Sequence, residues 1–222
     1  MTTLHFGVLL TNPRGDRTHG VGPQLLDVAA VDVFTNLSKE YLSNVILGEG
    51  VNQLLPAAID VETYYIADSL EPVRLTAGVK IVPTNTYESC PRLDYLLVPG
   101  AMSAYRASNA EIKFIQERHP EVKALFGICT GPLIIGATGI VDGRKGTGNR
   151  AVVELLKQEF PNGNWSGEYR WVADEEAKLW TCGGAQTAIY MMTAYIKQHF
   201  HADMVDFVMR VGEFEIKQQK YA

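Results

Sequence analysis

The chain lacks any block of lysine and arginine long enough to follow a phosphate backbone, and its formal net charge is −5 over 222 residues. Nucleic acid is therefore not an expected partner. No apolar run reaches about 18 residues, so no segment is expected to span a membrane. The opening residues Thr2-Thr3-Leu4-His5-Phe6 carry neither a basic n-region nor a long apolar h-region, so no secretory leader is expected. Cysteine is scarce and odd in number: Cys90, Cys129 and Cys182. That opposes a disulfide framework and points to a reducing compartment, the cytoplasm. Neither Cys-x-x-Cys nor His-Glu-x-x-His occurs, and the five histidines are scattered, so no metal site is expected. No Gly-x-Gly-x-x-Gly follows the first strand pattern and no Walker motif is present, so no nucleotide or flavin is expected as a cofactor.

Apolar residues, by contrast, are plentiful: 46% of the chain is hydrophobic, enough for a large core. There is no internal repeat, low-complexity tract or linker, which predicts one domain over residues 1–222. Strand-like and helix-like patterns alternate. Leu4–Leu10, Val61–Ala67, Val79–Thr84, Leu93–Gly100 and the run "VKALFGI" before Cys129 read as strands, with shorter ones at Tyr169–Ala173 and Lys178–Thr181. Long helical patterns cover about Gln24–Val45, Asn109–Arg118, Ala151–Phe160, Ala185–Phe200 and Ala202–Val211, with another helix after Cys129. Such alternation predicts a mostly parallel sheet covered on both faces. "RGD" at Arg14–Asp16 reads as a turn.

Cys129 stands out in "ALFGICTGPLIIGATGIV", Ala124–Val141. It falls at the carboxyl end of a strand, where open parallel sheets bind ligands. Gly127, Gly131 and Pro132 around it suit a sharp turn into a helix. The pattern is a cysteine counterpart of the strand-to-helix nucleophile elbow. A helix N-terminus would then hold the thiol pKa below the free value of about 8.5. A buried cysteine in a tight turn fits the same residues.

Three blocks carry a wider likeness: "LLVPGAMSAYRA", "FGICTGPLIIGATGIVDGRKGTGNRAVVELL" and "YRWVADEEAKLWTCGGAQTAIYMM". They resemble successive segments of the ThiJ/PfpI superfamily, over about Leu4 to His199. The resemblance implies a flavodoxin-like three-layer α/β sandwich, usually a homodimer. It leaves activity open, because the superfamily includes hydratases, glyoxalases and deglycases, peptidases, stress proteins and sensor domains. Gly100 and Ala101 match the loop whose backbone N–H groups face the cysteine, so with the Thr130 N–H they would form an oxyanion-type cradle. Arg170 matches a common block and could line the pocket, although its stem could equally pack beside Trp171. Gly183 and Gly184 permit close helix–sheet approach, and Gly183 joins Gly100, Ala101 and Arg170 in the expected substrate-binding set. Cys182 and Cys90 read as packing.

The departures discriminate among branches. Thr130 follows the cysteine where many relatives have histidine, and Asn149 occupies a common downstream histidine position. His201-Ala202-Asp203 reads as a surface pair, and His19 lies in an early loop that could swing over the site. The isonitrile hydratase-like branch instead pairs a Leu-Asp motif after the first strand with a Cys-Thr-Gly elbow, and this chain has "QLLDVAAVDVF" and "ICTG". The usual Gly-Pro after the aspartate is missing. Helical spacing independently puts Asp27 on a face with Val31 and Phe34, and Asp32 on a face with Asn36, Lys39 and Glu40. Burial would raise the Asp27 pKa and suit it to general acid chemistry; helix capping would also explain an aspartate there. The resemblance thus implies a cofactor-free hydratase acting on a small molecule through Cys129, Asp27 and Thr130. A glyoxalase or deglycase, another tailoring enzyme, or a cysteine-based redox sensor are the alternatives. The chain ends about 20 residues after the last matching block, so no helix-turn-helix module is expected.

Overall fold

Continuous apolar runs become the inner strands of one sheet. The computed structural model describes residues 2–12, 21–45, 49–102 and 104–222. In chain order these form β1 (Leu4–Leu9), α1 (Leu25–Val28), α2 (Val31–Thr35), α3 (Lys39–Val45), α4 (Glu49–Leu54), β2 (Val61–Ala67), β3 (Val73–Arg74), β4 (Lys80–Ile81), β5 (Asn85–Thr86) and β6 (Tyr95–Val98). They continue with α5 (Asn109–Arg118), β7 (Ala124–Ile128), α6 (Pro132–Gly136), β8 (Lys145–Gly146), α7 (Val153–Glu159), β9 (Asn164–Trp165), β10 (Trp171–Asp174), β11 (Leu179–Cys182), α8 (Ala185–His199) and α9 (Ala202–Val211). Seven strands make the main sheet in the order β10-β11-β7-β6-β1-β2-β5. All its pairings are parallel except β10 on β11. The expected α/β fold, a mostly parallel sheet between helical layers, is what the chain adopts.

Every residue of β6 and β7 is buried, so alternate side chains must be covered on opposite faces. Phe6, Tyr95, Phe126 and Trp180 point to one side, where α1, α2, α8 and α9 lie. There Phe126 meets Tyr195 of α8 edge-on at 4.9 Å, and Phe6 meets Phe34 of α2 at 4.8 Å. Leu9, Leu96 and Leu125 point to the other side, against Ile115, Ile134 and Leu156 of α5, α6 and α7. This arrangement leaves the carboxyl ends of β1, β6, β7 and β11 together at one edge of the sheet.

Local signals set several boundaries. Ser108 caps α5 by accepting from the Glu111 N–H, and Pro132 opens α6. Three expectations need correction. The helix expected over Gln24–Val45 is broken into α1, α2 and α3. Ile59 donates to Leu37 and accepts from Lys39, and Ser38 bridges Ile59, so those backbone groups serve a long-range contact instead of a helix ladder. Val79–Thr84 supplies only β4, which pairs antiparallel with β3 outside the main sheet. The outer strand of the sheet is the polar pair Asn85–Thr86. The strand expected at Tyr169–Ala173 begins at Trp171. His19 and Arg14–Asp16 lie outside the described residues.

Candidate active site

Cys129 follows the last residue of β7 and has φ 60°, a left-handed backbone that costs a residue with a side chain about 1–3 kcal/mol. The surroundings hold it there. Its N–H donates to the Cys182 carbonyl at 3.1 Å, its carbonyl accepts from the Asn149 N–H at 2.8 Å, and the Gly131 N–H returns to the Ile128 carbonyl at 2.7 Å. A Cβ on Gly131 would lie 2.2 Å from the Val98 carbonyl oxygen, so only glycine lets the chain turn this tightly. Strand, strained cysteine and Pro132-led helix together form an elbow.

Asp27 reaches the same point from α1. Its side chain is fully buried, at 0% exposure, and Cys129 is 6% exposed. Oδ2 accepts from the Gly100 N–H at 3.0 Å. Oδ1 is buried with no well-formed hydrogen bond, and the Cys129 thiol is close enough to lower the carboxyl pKa. A Cβ on Gly100 would stand 2.6 Å from Asp27 Oδ2, 2.8 Å from Thr130 Oγ1 and 3.0 Å from Cys129 Cβ, so this glycine makes room for all three. The Thr130 hydroxyl donates to the Ala101 carbonyl. Asp27 is not a cap: α1 has no side-chain cap bond. Asp32 is exposed and faces away, on the rim of a groove shared with Tyr41 and Tyr65.

The electrostatics differ from expectation. Burial, then the Asp27 charge, push the Cys129 thiol up to about 11, against the opposing bonds from the Asn149 amide and the Thr130 N–H. A thiol held below its free value was expected; burial and the neighbouring carboxylate push it the other way, and α6 is a short helix of five residues. Burial also lifts Asp27 from 3.8 to about 6, opposed by the Gly100 N–H and the Cys129 thiol. Near neutral pH the pair therefore rests as thiol and carboxylate.

Two neighbouring groups make bonds of their own. The Gly100 N–H, expected in an oxyanion cradle, donates to Asp27 Oδ2. The Arg170 guanidinium donates to the carbonyls of Gln218 and Lys220. Gly183 donates its N–H to the Arg170 carbonyl at 2.9 Å and lies beside the Tyr221 hydroxyl. Cys182 is fully buried, and His201 and Asp203 form an exposed pair at 3.7 Å. Asn149, read from the sequence only as a missing histidine, donates its amide to Cys129 Sγ at 3.2 Å. Its Oδ1 accepts from the Ala151 N–H at 3.0 Å, which fixes the amide with its NH₂ toward sulfur. Among the described residues there is no group of three or more His, Cys, Asp or Glu side chains able to hold a metal ion, and no helix is long and apolar enough to cross a membrane.

The DJ-1/PfpI family profile matches residues 42–198. A curated relative, an isonitrile hydratase from Pseudomonas putida, is 31% identical over 109 residues, which is 48% of this chain and 48% of that protein. The match therefore spans about half the length of that relative. Among solved structures, a THiJ/PfpI family protein from Pseudomonas syringae superposes with TM-score 0.73 at 21% identity, covering 98% of this chain and 78% of that one. An AraC family transcriptional regulator from Pseudomonas putida gives TM-score 0.70 at 13% identity, covering 95% of this chain and 99% of that one. These two likenesses concern the fold alone.

Proposed function

The chain belongs to the DJ-1/PfpI family, and from that footing we propose that it is a cofactor-free, isonitrile hydratase-like lyase that converts an isonitrile into an N-substituted formamide. The observation that carries this reading is the buried Asp27–Cys129 pair, with an amide instead of an imidazole on the sulfur. Partial identity to an isonitrile hydratase supports it.

The chemistry needs one nucleophile and one proton carrier. Cys129 Sγ attacks the isonitrile carbon while its proton passes to the Asp27 carboxylate. Asp27, now a carboxylic acid, gives that proton to the lone pair the same carbon already carried, while the electron pair of the opened π bond of C≡N comes to rest on nitrogen. The product is a thioimidate, R–N=CH–S–Cys129. Water then adds to its carbon, Asp27 taking a water proton and passing it to nitrogen, which gives R–NH–CH(OH)–S–Cys129. Breaking the C–S bond releases R–NH–CHO as the hydroxyl proton passes through Asp27 to sulfur. The sum is isonitrile plus water giving formamide, with no redox change. The high thiol pKa suits this order, because attack and proton transfer to Asp27 occur together and no free thiolate is stored. The Asn149 amide and the Thr130 N–H supply the bonds that stabilise the charge on sulfur as it forms.

A glyoxalase or deglycase shuttles protons between carbons and oxygens of an α-oxoaldehyde. That chemistry draws on a second base, and none of the described contacts of Cys129 provides one. A redox sensor works through an exposed thiolate, whereas this thiol is buried and protonated. We further read residues 1–222 as one domain acting as a cytoplasmic homodimer on a small-molecule substrate, which light scattering tests for the oligomer. The activity is tested by incubating the purified protein with cyclohexyl isonitrile and, in parallel, with methylglyoxal. Formamide from the first and no lactate from the second is the expected result; the reverse replaces this reading with a glyoxalase.

A further inference from the structure

The last residues of the chain return to the cysteine site. After α9 the backbone turns at Glu213, with φ 50°, and residues 218–221 run antiparallel to 168–171. The Arg170 N–H donates to the Gln219 carbonyl at 2.7 Å, the Tyr221 N–H to the Glu168 carbonyl at 2.9 Å, and Gln219 Nε2 to the Trp171 carbonyl at 3.0 Å. Lys220 pairs with Glu168 at 2.8 Å. The Arg170 guanidinium adds bonds to the Gln218 and Lys220 carbonyls. This segment lies beyond the family match, which ends at residue 198.

These bonds deliver one aromatic ring to one place. Two guanidinium groups lie over the Tyr221 ring, with Arg150 Cζ 4.9 Å and Arg170 Cζ 4.7 Å from its centroid. Both arginines are joined to segments that enclose the thiol. Arg150 follows Asn149, whose amide is on the sulfur. Arg170 holds the Gly183 N–H, and Gly183 follows Cys182, whose carbonyl holds the Cys129 N–H. The Tyr221 hydroxyl comes within 3.0 Å of the point where a Cβ on Gly183 would sit, and the Gly148 carbonyl is 3.6 Å from that point. The phenol therefore stands beside Gly183 and the Arg150 side chain, each next in sequence to a residue that bonds Cys129.

We propose that Tyr221, held by Arg150 and Arg170, is a specificity-determining residue that forms one wall of the Cys129 pocket and limits the size of the molecule that reaches the thiol. As a selector of substrate size it rests on the enzymatic reading above; as a wall around the thiol it is tested without turnover. Tyr221→Ala removes the ring, Tyr221→Phe keeps it, and Arg150→Ala loosens the clamp without touching the backbone bonds of the tail.

The test measures alkylation of Cys129 by peptide mass spectrometry with a small reagent, iodoacetamide, and a bulky one, N-(1-pyrenyl)maleimide. Circular dichroism and melting curves check that each variant is folded. Tyr221→Ala should raise the bulky-to-small rate ratio at Cys129 by about 10-fold, the scale on which a pocket wall discriminates by size. Arg150→Ala should move it the same way by less, and Tyr221→Phe should keep the native ratio. Cys90 serves as the internal control and should not change. With isonitriles, Tyr221→Ala should shift kcat/KM toward tert-butyl over methyl isonitrile. If no isonitrile turns over while the labelling ratio rises, the wall stands and the hydratase reading falls. An unchanged ratio at Cys129 in folded Tyr221→Ala and Arg150→Ala, or an equal rise for both reagents at Cys90 as well, overturns the proposal.

Discussion

Asp27→Asn separates a proton carrier from a structural aspartate because the two roles predict opposite signs of stability change. The folded protein raises the Asp27 pKa from 3.8 to about 6, chiefly by burial. Protonated Asp27 is therefore the form the fold prefers. Its stabilising contribution is complete below the unfolded value and is lost as pH climbs through about 6. At about 1.4 kcal/mol for each pH unit, the ionised carboxylate costs ~3 kcal/mol near pH 8. Asparagine keeps an oxygen for the Gly100 N–H and cannot ionise. The variant should thus be more stable than the native protein near pH 8 by up to ~3 kcal/mol, or several degrees in Tm at about 2–4 °C per kcal/mol for a chain of this size. Near pH 4 the difference should vanish. Glu111, also buried and raised to about 7, is common to both proteins and drops out of the comparison. Turnover should fall on the order of 10²–10⁴-fold. Paired melts at the two pH values, with rates on the same preparations, decide the matter. A variant that is less stable at both pH values yet fully active would return Asp27 to a structural role and remove the proton carrier from the mechanism.

The remaining predictions use the same site. The pH profile of kcat/KM should rise through about 6 as Asp27 ionises to receive the thiol proton; a profile flat from about pH 5 to 8 contradicts that assignment. Asn149→Ala removes the amide on sulfur and should lower kcat/KM by about 10–100-fold, the worth of a hydrogen bond to a developing charge, with little change in Tm; unchanged kinetics would show the contact to be incidental. Gly100→Ala places a methyl 2.6 Å from Asp27 Oδ2 and 2.8 Å from Thr130 Oγ1, and should cost about 1–3 kcal/mol of stability as well as activity, measured by denaturant unfolding and initial rates. The iodoacetamide reactivity of Cys129 should titrate above the free-thiol value of about 8.5 and shift downward in Asp27→Asn, where the repelling charge is gone; titration below that value would contradict the burial argument.

The inner strands were legible because buried parallel strands are continuous apolar runs, as in Tyr95–Val98 and Ala124–Ile128. The bounds of α5 were legible because Ser108 is a local cap. The elbow was legible for the same reason: Gly131 and Pro132 mark the turn within a few residues of Cys129. Asp27 is buried as the helical spacing expected, although it lies in α1 and Val31 and Phe34 lie in α2. What depends on residues distant in sequence was not legible. The break between α2 and α3 arises from Leu37–Lys39 meeting Ile59. Asn85–Thr86 joins the sheet as a polar pair that no hydrophobic period marks. The direction of the thiol shift depends on the burial of Cys129 and then on the Asp27 charge beside it, so local helix signals pointed the wrong way. The commitment of Arg170 to Gln218 and Lys220, and the placing of Tyr221 beside Gly183, come from the returning tail.

The central claim is that Cys129 bonds to the substrate carbon while Asp27 carries the proton. The most direct measurement is the mass of the Cys129 peptide after acid quench of the native protein mixed with excess cyclohexyl isonitrile. The thioimidate mechanism predicts a transient gain equal to the whole isonitrile, confined to that peptide, rising before formamide reaches its steady rate and absent from Cys129→Ala, which makes no formamide. Formamide produced by Cys129→Ala at the native rate, with no mass gain on Cys129 in the native protein, would contradict it.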